Sequence, residues 1–502
     1  MTWKRTSTVF GIALGAALLT SACTVGPDYH PPETPVPPAY GEPQAQSGIP
    51  GATIDPARWW SAFGDPQLDG LVERALKDNP DIAVAVSRVR QARLQEIGAR
   101  AAGKPTVDAT ADVNDVEFSK NAGFASLARL FSGGSSGGGS STPSGVALPG
   151  SGITTYALGF DASWELDLFG GDRRGVEASV ARTDAAIWTR RDAAVTLAAE
   201  VAQAYFALRL DQEQITIVEQ ELVRERRTLE IAGNSARVGL VPSIDVTRQR
   251  ATLTTLEARL EPIRADARMR IHALGILIGE PPETLDAELS GPGKPLAVLP
   301  VVPAGLPSDL LRRRPDIRAA ERELAASTAD IGVAVADLYP KFSLTGAAQL
   351  LSTSLSNLFT GDSVQLTGTG GVSFPLFDWG KRKSTVKIRK EQREQAYAQY
   401  RKTVLGALRD VEDPLARIDA ERRRNATLKR AVVDAESTAH AVEAQYRTGF
   451  VAQDSLLNAE NQVLSAREQV AASDAQLRQD TAALFKAIGG GWQDDTAPAP
   501  AG

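Results

Sequence analysis

Cysteine is nearly missing from this 502-residue sequence, which has one, and histidine is scarce, with only His30, His272 and His440. One thiol excludes a disulfide framework and any cysteine-built metal site. Three histidines so far apart exclude a His-rich metal centre or a His-based catalytic machine. Aromatic residues make up only 6% of the chain, too few for a dense aromatic pocket. The 55 basic residues against 61 acidic ones leave a net charge of −6, which gives a nucleic-acid partner no electrostatic support. The glycine-rich Gly368-Thr369-Gly370-Gly371 sits in a predicted strand and opens no helix, so a phosphate-binding loop is excluded. No catalytic constellation is left. The sequence predicts a protein that is not an enzyme and needs neither metal nor cofactor.

What is present begins with the N-terminus. Lys4 and Arg5 precede the apolar run Val9 to Leu19, followed by Thr20-Ser21-Ala22-Cys23. That run covers roughly 16 Å as a helix, about half a bilayer core, so it is too short to span. A positive start, a short apolar middle and small residues at the end describe a secretory signal over 1–22. Cleavage before Cys23 would expose that thiol for covalent lipid attachment, as in bacterial lipoproteins. An ordinary signal with an incidental cysteine is the plainer alternative; the absence of any other cysteine stands against it. Thr24, rather than Asp, follows Cys23, consistent with transfer to the outer membrane.

After a Pro-rich tether (Pro27 to Pro38) and Trp59-Trp60, the chain repeats itself. Asn79-Pro80-Asp81-Ile82 returns as Arg314-Pro315-Asp316-Ile317, and Pro105 returns as Pro340. Leu168-Phe169 matches Leu376-Phe377. Arg237, Gly239 and Val241 match Arg447, Gly449 and Val451, and Leu274, Ile278 and Gly279 match Leu484, Ile488 and Gly489. Matches kept in order through both halves indicate an internal duplication. The first half carries an insertion that includes the Ser/Gly tract 132–145, read as a flexible surface loop. The expected organisation is a lipid-anchored Pro-rich segment over 23–62, a first repeat over 63–295, a second over 305–492, and a flexible tail over 493–502.

Each half reads as helix, strand, loop, strand, long helix, turn, helix. Tyr156, Leu158, Phe160, Ala162, Trp164 and Leu166 are apolar at every second position, with Gly159, Asp161, Ser163 and Glu165 between them. That alternation is a strand with one apolar and one polar face. Strands are expected at about 106–117, 153–168, 341–350 and 364–376, long enough to cross a bilayer when tilted. Long helices are expected at about 172–233, 243–279, 381–447 and 454–488. Gly233 is read as the end of the first, Pro262 and Pro414 as kinks, and Gly239 and Gly449 as left-handed helix caps. Beyond the signal no run of 18 apolar residues occurs, so entry into a membrane would have to be as a β-barrel.

Four strands cannot close a barrel, and strand edges facing lipid cost several kcal/mol per missing hydrogen bond. Two copies would supply eight strands and three would supply twelve, the latter wide enough for a channel.

These residues resemble a known family. Cys23-Thr24-Val25-Gly26-Pro27-Asp28-Tyr29, Trp59-Trp60 with Phe63-Gly64-Asp65-Pro66, and Trp164-Glu165-Leu166-Asp167-Leu168-Phe169-Gly170 are similar to stretches of the NodT/OprM-type outer-membrane factor lipoproteins. So is Arg314-Pro315-Asp316-Ile317-Arg318-Ala319-Ala320-Glu321 with Tyr339-Pro340. The resemblance implies a mainly α TolC-like homotrimer in the outer membrane. Each chain would give four strands to a twelve-stranded barrel and long helices to a periplasmic α-barrel. It also implies a periplasmic adaptor, an inner-membrane transporter of the RND type, and export of drugs or other small toxic compounds. An outlet for protein secretion, or a periplasmic lipoprotein without a pore, are the alternatives. Carried over residue by residue, the adaptor-contact tips are Val238, Gly239 and Leu240, and Thr448, Gly449 and Phe450. The periplasmic gate falls on Asp245, Arg248, Asp454, Ser455 and Asn458. Ser455 and Asn458 stand where the family has an aspartate ring, so a cation-binding ring is not expected here. Asp245 is expected to pair with Arg248, Arg237 or Arg447.

Overall fold

The computed structural model describes residues 24–42, 54–116, 153–239, 241–293, 299–302 and 305–492. The expected signal peptide, Cys23, the Ser/Gly tract, Leu240 and the tail lie outside the described residues.

The helices are α1 (Pro66–Asp78), α2 (Pro80–Ala102), α3 (Gly171–Arg237), α4 (Ser243–Leu277), α5 (Pro307–Arg313), α6 (Pro315–Ala336), α7 (Lys381–Arg447) and α8 (Gln453–Ala487). The strands are β1 (Thr106–Val116), β2 (Ile153–Leu166), β3 (Lys341–Ser352) and β4 (Val364–Ser373). Helix α3 runs through Gly233 and ends at Arg237, correcting the expected stop. A mid-helix glycine costs only about 1 kcal/mol, and the buried Ala232 beside it keeps the helix packed. Strand β2 ends at Leu166, not 168, because the chain turns there: Leu168 N–H donates to Leu166 O at 2.9 Å, and Gly170 takes φ 82°. Strand β4 ends at Ser373, not 376, since Pro375 has no N–H for a ladder. Helices α4 and α7 continue through Pro262 and Pro414.

The chain divides into two compact units that cut across the repeats. The first comprises Met1–Tyr29, Leu94–Val180 and Ala326–Gln392; the second comprises His30–Arg93, Ala181–Ala325 and Arg393–Gly502.

The first unit contains one antiparallel sheet in the order β1-β2-β3-β4. Its register aligns apolar residues in rows, as in Ala109 opposite Phe160, Phe160 opposite Ala348, and Ala348 opposite Leu366. Gly159 sits opposite Gln349, where an added Cβ would come within 2.4 Å of the glutamine Cβ. Residues 25–28 are fastened in this unit. Val25 N–H donates to Phe169 O at 3.1 Å, and the Arg174 guanidinium meets Asp28 at 2.6 Å and Glu177 at 2.7 Å. Gly26, at φ 94°, lies so close to Gly332 that any Cβ would collide with its Cα.

The second unit packs around aromatic residues that the Trp-Trp segment brings in. Trp59 stacks on Phe485 at 5.0 Å, and Phe63 meets Phe206 at 4.8 Å. The duplicated Asn79 and Arg314 do equivalent work here. Asn79 Nδ2 donates to Leu277 O at 2.8 Å, and Arg314 Nη1 donates to Ala487 O at 2.9 Å. Each thereby satisfies a carbonyl left open at the end of α4 or α8. One window of α3 is apolar enough to cross a membrane by length and composition, but half of that window is buried within the chain. That marks it as core-packed helix.

Candidate functional site: two open sheet edges and two helical tips

Alternation gives the sheet two chemically distinct faces. On one face Val107, Phe160, Leu366 and Val372 are well exposed, a row of large apolar side chains left uncovered among the described residues. The other face is polar and linked by its own hydrogen bonds. Thr110 Oγ1 donates to Asp161 at 2.8 Å, the Thr106 and Ser163 hydroxyls lie 2.9 Å apart, and Gln349 Nε2 donates to Gln365 at 3.1 Å. Asp108 faces Asp161 across the ladder, an arrangement that water on this side makes tolerable. Among the described residues β1 and β4 each pair on one side only, so both outer edges offer free backbone donors and acceptors.

The tips form in the second unit. Helices α3 and α7 are both 67 residues long, and α4 and α8 are both 35, so the turns fall at equivalent places. Gly239 (φ 73°) and Gly449 (φ 79°) are left-handed. At the second turn Gly449 N–H donates to Tyr446 O at 3.0 Å and Phe450 N–H to Gln445 O at 2.9 Å, the pair of bonds that closes a glycine-capped helix. At the first turn Gly239 N–H donates to Ala236 O at 3.1 Å. Val238 and Phe450 project outward, 71% and 84% exposed. Thr448 turns its hydroxyl back to Ala444 O and Gln445 O.

Of the residues expected at the gate, the structure brings together three. Arg248 Nη1 lies 3.2 Å from Asp454 Oδ1 and 4.0 Å from Asp245 Oδ1, so one guanidinium bridges the first turns of α4 and α8. Arg237 and Arg447 do not reach Asp245 as the sequence suggested. Each is engaged on its own helix, with Asn234 and Glu443 respectively, because the last turn offers a partner at helical spacing. Ser455 and Asn458 lie exposed on α8.

Sequence reasoning missed a buried polar layer next to these turns. Gln249 and Gln453 are buried, and Gln453 Nε2 donates to Gln249 Oε1 at 2.8 Å. Gln249 in turn donates to Glu225. Glu221 and Glu225 are also buried, on the face of α3 that carries Ile217, Val218 and Leu222. Carboxylates at apolar helical spacing were the available signal. Burial, with the charge of Glu221 adding to it, pushes the Glu225 carboxyl up to about 7. Burial, then the charges of Glu225 and Glu221, pushes Glu460 up to about 8.

Residues 71–280 and 306–490 match the family described as outer membrane efflux protein. The chain is 30% identical to the toluene efflux pump outer membrane protein TtgC of Pseudomonas putida, over 98% of each chain. It is also 30% identical, over the same shares, to the antibiotic efflux pump outer membrane protein ArpC of Pseudomonas putida. Among solved structures it is similar to the outer-membrane channel OprN, with a TM-score of 0.81 and 31% identity, covering 94% of this chain and all of that one.

Proposed function

The chain belongs to the outer membrane efflux protein family, and from that premise we propose that three copies join their sheets into one twelve-stranded barrel. The protein is an outer-membrane efflux channel with the TolC-like fold. As the exit duct it supplies no energy of its own, so an inner-membrane pump drives transport, reaching it through a periplasmic adaptor. Drugs and other small toxic compounds are the cargo. TtgC and ArpC carry toluene and antibiotic in their names at equal likeness, so likeness alone favours neither cargo.

The observation that carries this reading is the sheet with two open edges and an exposed apolar face. In lipid each unsatisfied backbone group costs several kcal/mol, and pairing β4 of one copy with β1 of the next removes that cost around a closed ring. The apolar face then meets lipid, and the face bearing Asp108, Asp112 and Asp161 lines water. The first residues after Cys23, fastened by Arg174 in the same unit as the sheet, suit a lipid attached at Cys23. Val238 and Phe450 form an apolar rim for the adaptor. The Arg248 bridge to Asp245 and Asp454 holds the tips in the resting state, and adaptor docking shifts the population to the open form.

Planar-bilayer recording on the purified protein, with drug susceptibility of a deletion strain, tests this. Discrete conductance steps and increased susceptibility are expected. A silent bilayer with unchanged susceptibility would contradict it and leave a lipoprotein without a pore. Conductance without a susceptibility change would point to protein secretion instead.

A further inference from the structure

We propose that Glu225 and Glu460 form a proton-binding site that fastens the two helical hairpins, α3/α4 and α7/α8, to each other beside their turns. The site deepens the gating described above and rests on that reading for its physiological meaning, though its chemistry stands on its own.

Geometry carries the argument. An amide relay crosses from one hairpin to the other: Gln453, the first residue of α8, donates to Gln249 on α4, and Gln249 donates to Glu225 on α3. Gln249 is wholly buried, and Gln453, Glu221 and Glu225 are 3–4% exposed. Yet among the described residues three buried acceptors in this layer have no donor: Gln453 Oε1, Glu221 Oε1 and Glu460 Oε2. Buried acceptors demand hydrogens. The surroundings supply almost none. Arg224 is a cation that acts on both Glu225 and Glu460, and it is held by Glu221. Glu443 on α7 adds negative charge to Glu460, and Tyr446 on α7 lies under the influence of Asp245 and Glu460. A carboxyl that keeps its proton becomes a donor as well as an acceptor, which is what the layer lacks.

The site is not a by-product of duplication. Helices α3 and α7 align residue for residue at their ends, and the counterparts of Glu221 and Glu225 in the second half are Ala431 and Ala435. There Ala431 is exposed and Ala435 half-buried, so the buried carboxyl pair is not repeated at these positions of the second half.

The sign follows from the direction of the shifts. Both carboxyls sit above their ordinary range, so the protonated, fastened form is favoured in full below about pH 4.3, the ordinary glutamate value. That advantage is lost as pH rises through about 7 to 8. Ionisation then places like charges on α3 and α8, and the hairpins separate.

Infrared difference titration of the full-length protein in detergent, between pH 5.5 and 9, reads the proton directly. A protonated-carboxyl band is expected to vanish with a midpoint between 7 and 8 and to be absent in the Glu225→Gln/Glu460→Gln variant. Amide hydrogen exchange in the first turns of α4 and α8, corrected for the intrinsic rate, is expected to quicken about tenfold per pH unit across that midpoint in the wild type. The double variant, a permanent mimic of the protonated pair, is expected to stay protected throughout. A wild type with no such band, exchange that is flat with pH, or protection that disappears on adding a chelator would overturn the proposal. Neither readout needs conduction, so a silent bilayer with a positive titration would refute the duct and leave the proton site standing.

Discussion

Arg314 shows how a motif residue works at the scale of a single side chain. Its guanidinium is nearly buried and meets Asp316 at 2.6 Å, Asp410 at 3.2 Å and the Ala487 carbonyl at 2.9 Å. Replacing it with alanine removes the cation shared by Asp316 and Asp410; with both carboxylates partly exposed and Arg409 still beside Asp410, Arg314→Ala is expected to cost about 1–3 kcal/mol. Thermal unfolding followed by helical circular dichroism checks this, and a melting point equal to wild type would refute it. The sequence displayed Asn79-Pro80 and Arg314-Pro315 as markers of repetition. It did not display their use as clamps, because the carbonyls they hold lie far along the chain. On the sheet, Leu366 is 75% exposed on the apolar face, whereas Thr367 belongs to the other. Leu366→Arg is expected to cost about 2–4 kcal/mol in folding into lipid vesicles if the site is near mid-membrane, with Thr367→Arg far milder. Equal effects would contradict the assignment of faces. Cys23→Ser is expected to abolish labelling by radioactive fatty acid, and persistent labelling would place the lipid elsewhere.

At the scale of elements, period-two alternation found all four strands and glycine found both tips. The boundaries were less legible, for identifiable reasons. Gly233 looks like Gly239 in the sequence, but only Gly239 adopts a positive φ; nothing local distinguishes a glycine that caps from one that a packed helix absorbs. The alternation of β2 and β4 outlasts their ladders, since a turn or a proline ends hydrogen bonding while the residue pattern continues. The caps themselves give a prediction. An alanine held in the left-handed region costs about 1–2 kcal/mol, and both turn glycines have open space around them, so the penalty is purely conformational. Gly239→Ala and Gly449→Ala are each expected to raise local hydrogen exchange in their turns by roughly ten-fold while leaving the global melting point unchanged. Unchanged local exchange would show that the turns bear no such strain.

At the scale of the whole molecule, neither repeat folds as a body of its own: both compact units take strands or helices from each half. The sequence announced the duplication but could not announce this interleaving, which depends on which helix faces meet. The buried carboxyl layer was hidden for the same reason, as Glu221, Glu225 and Glu460 belong to different hairpins. The central claim concerns the open edges of β1 and β4. The four strands of the described residues leave them free, and in the proposed channel other copies complete the barrel. Native mass spectrometry of the detergent-solubilised protein tests this most directly. The account predicts a complex of three chains, each near 53 kDa before signal removal, with strand content that survives. A monomer that keeps its four strands in detergent would contradict it.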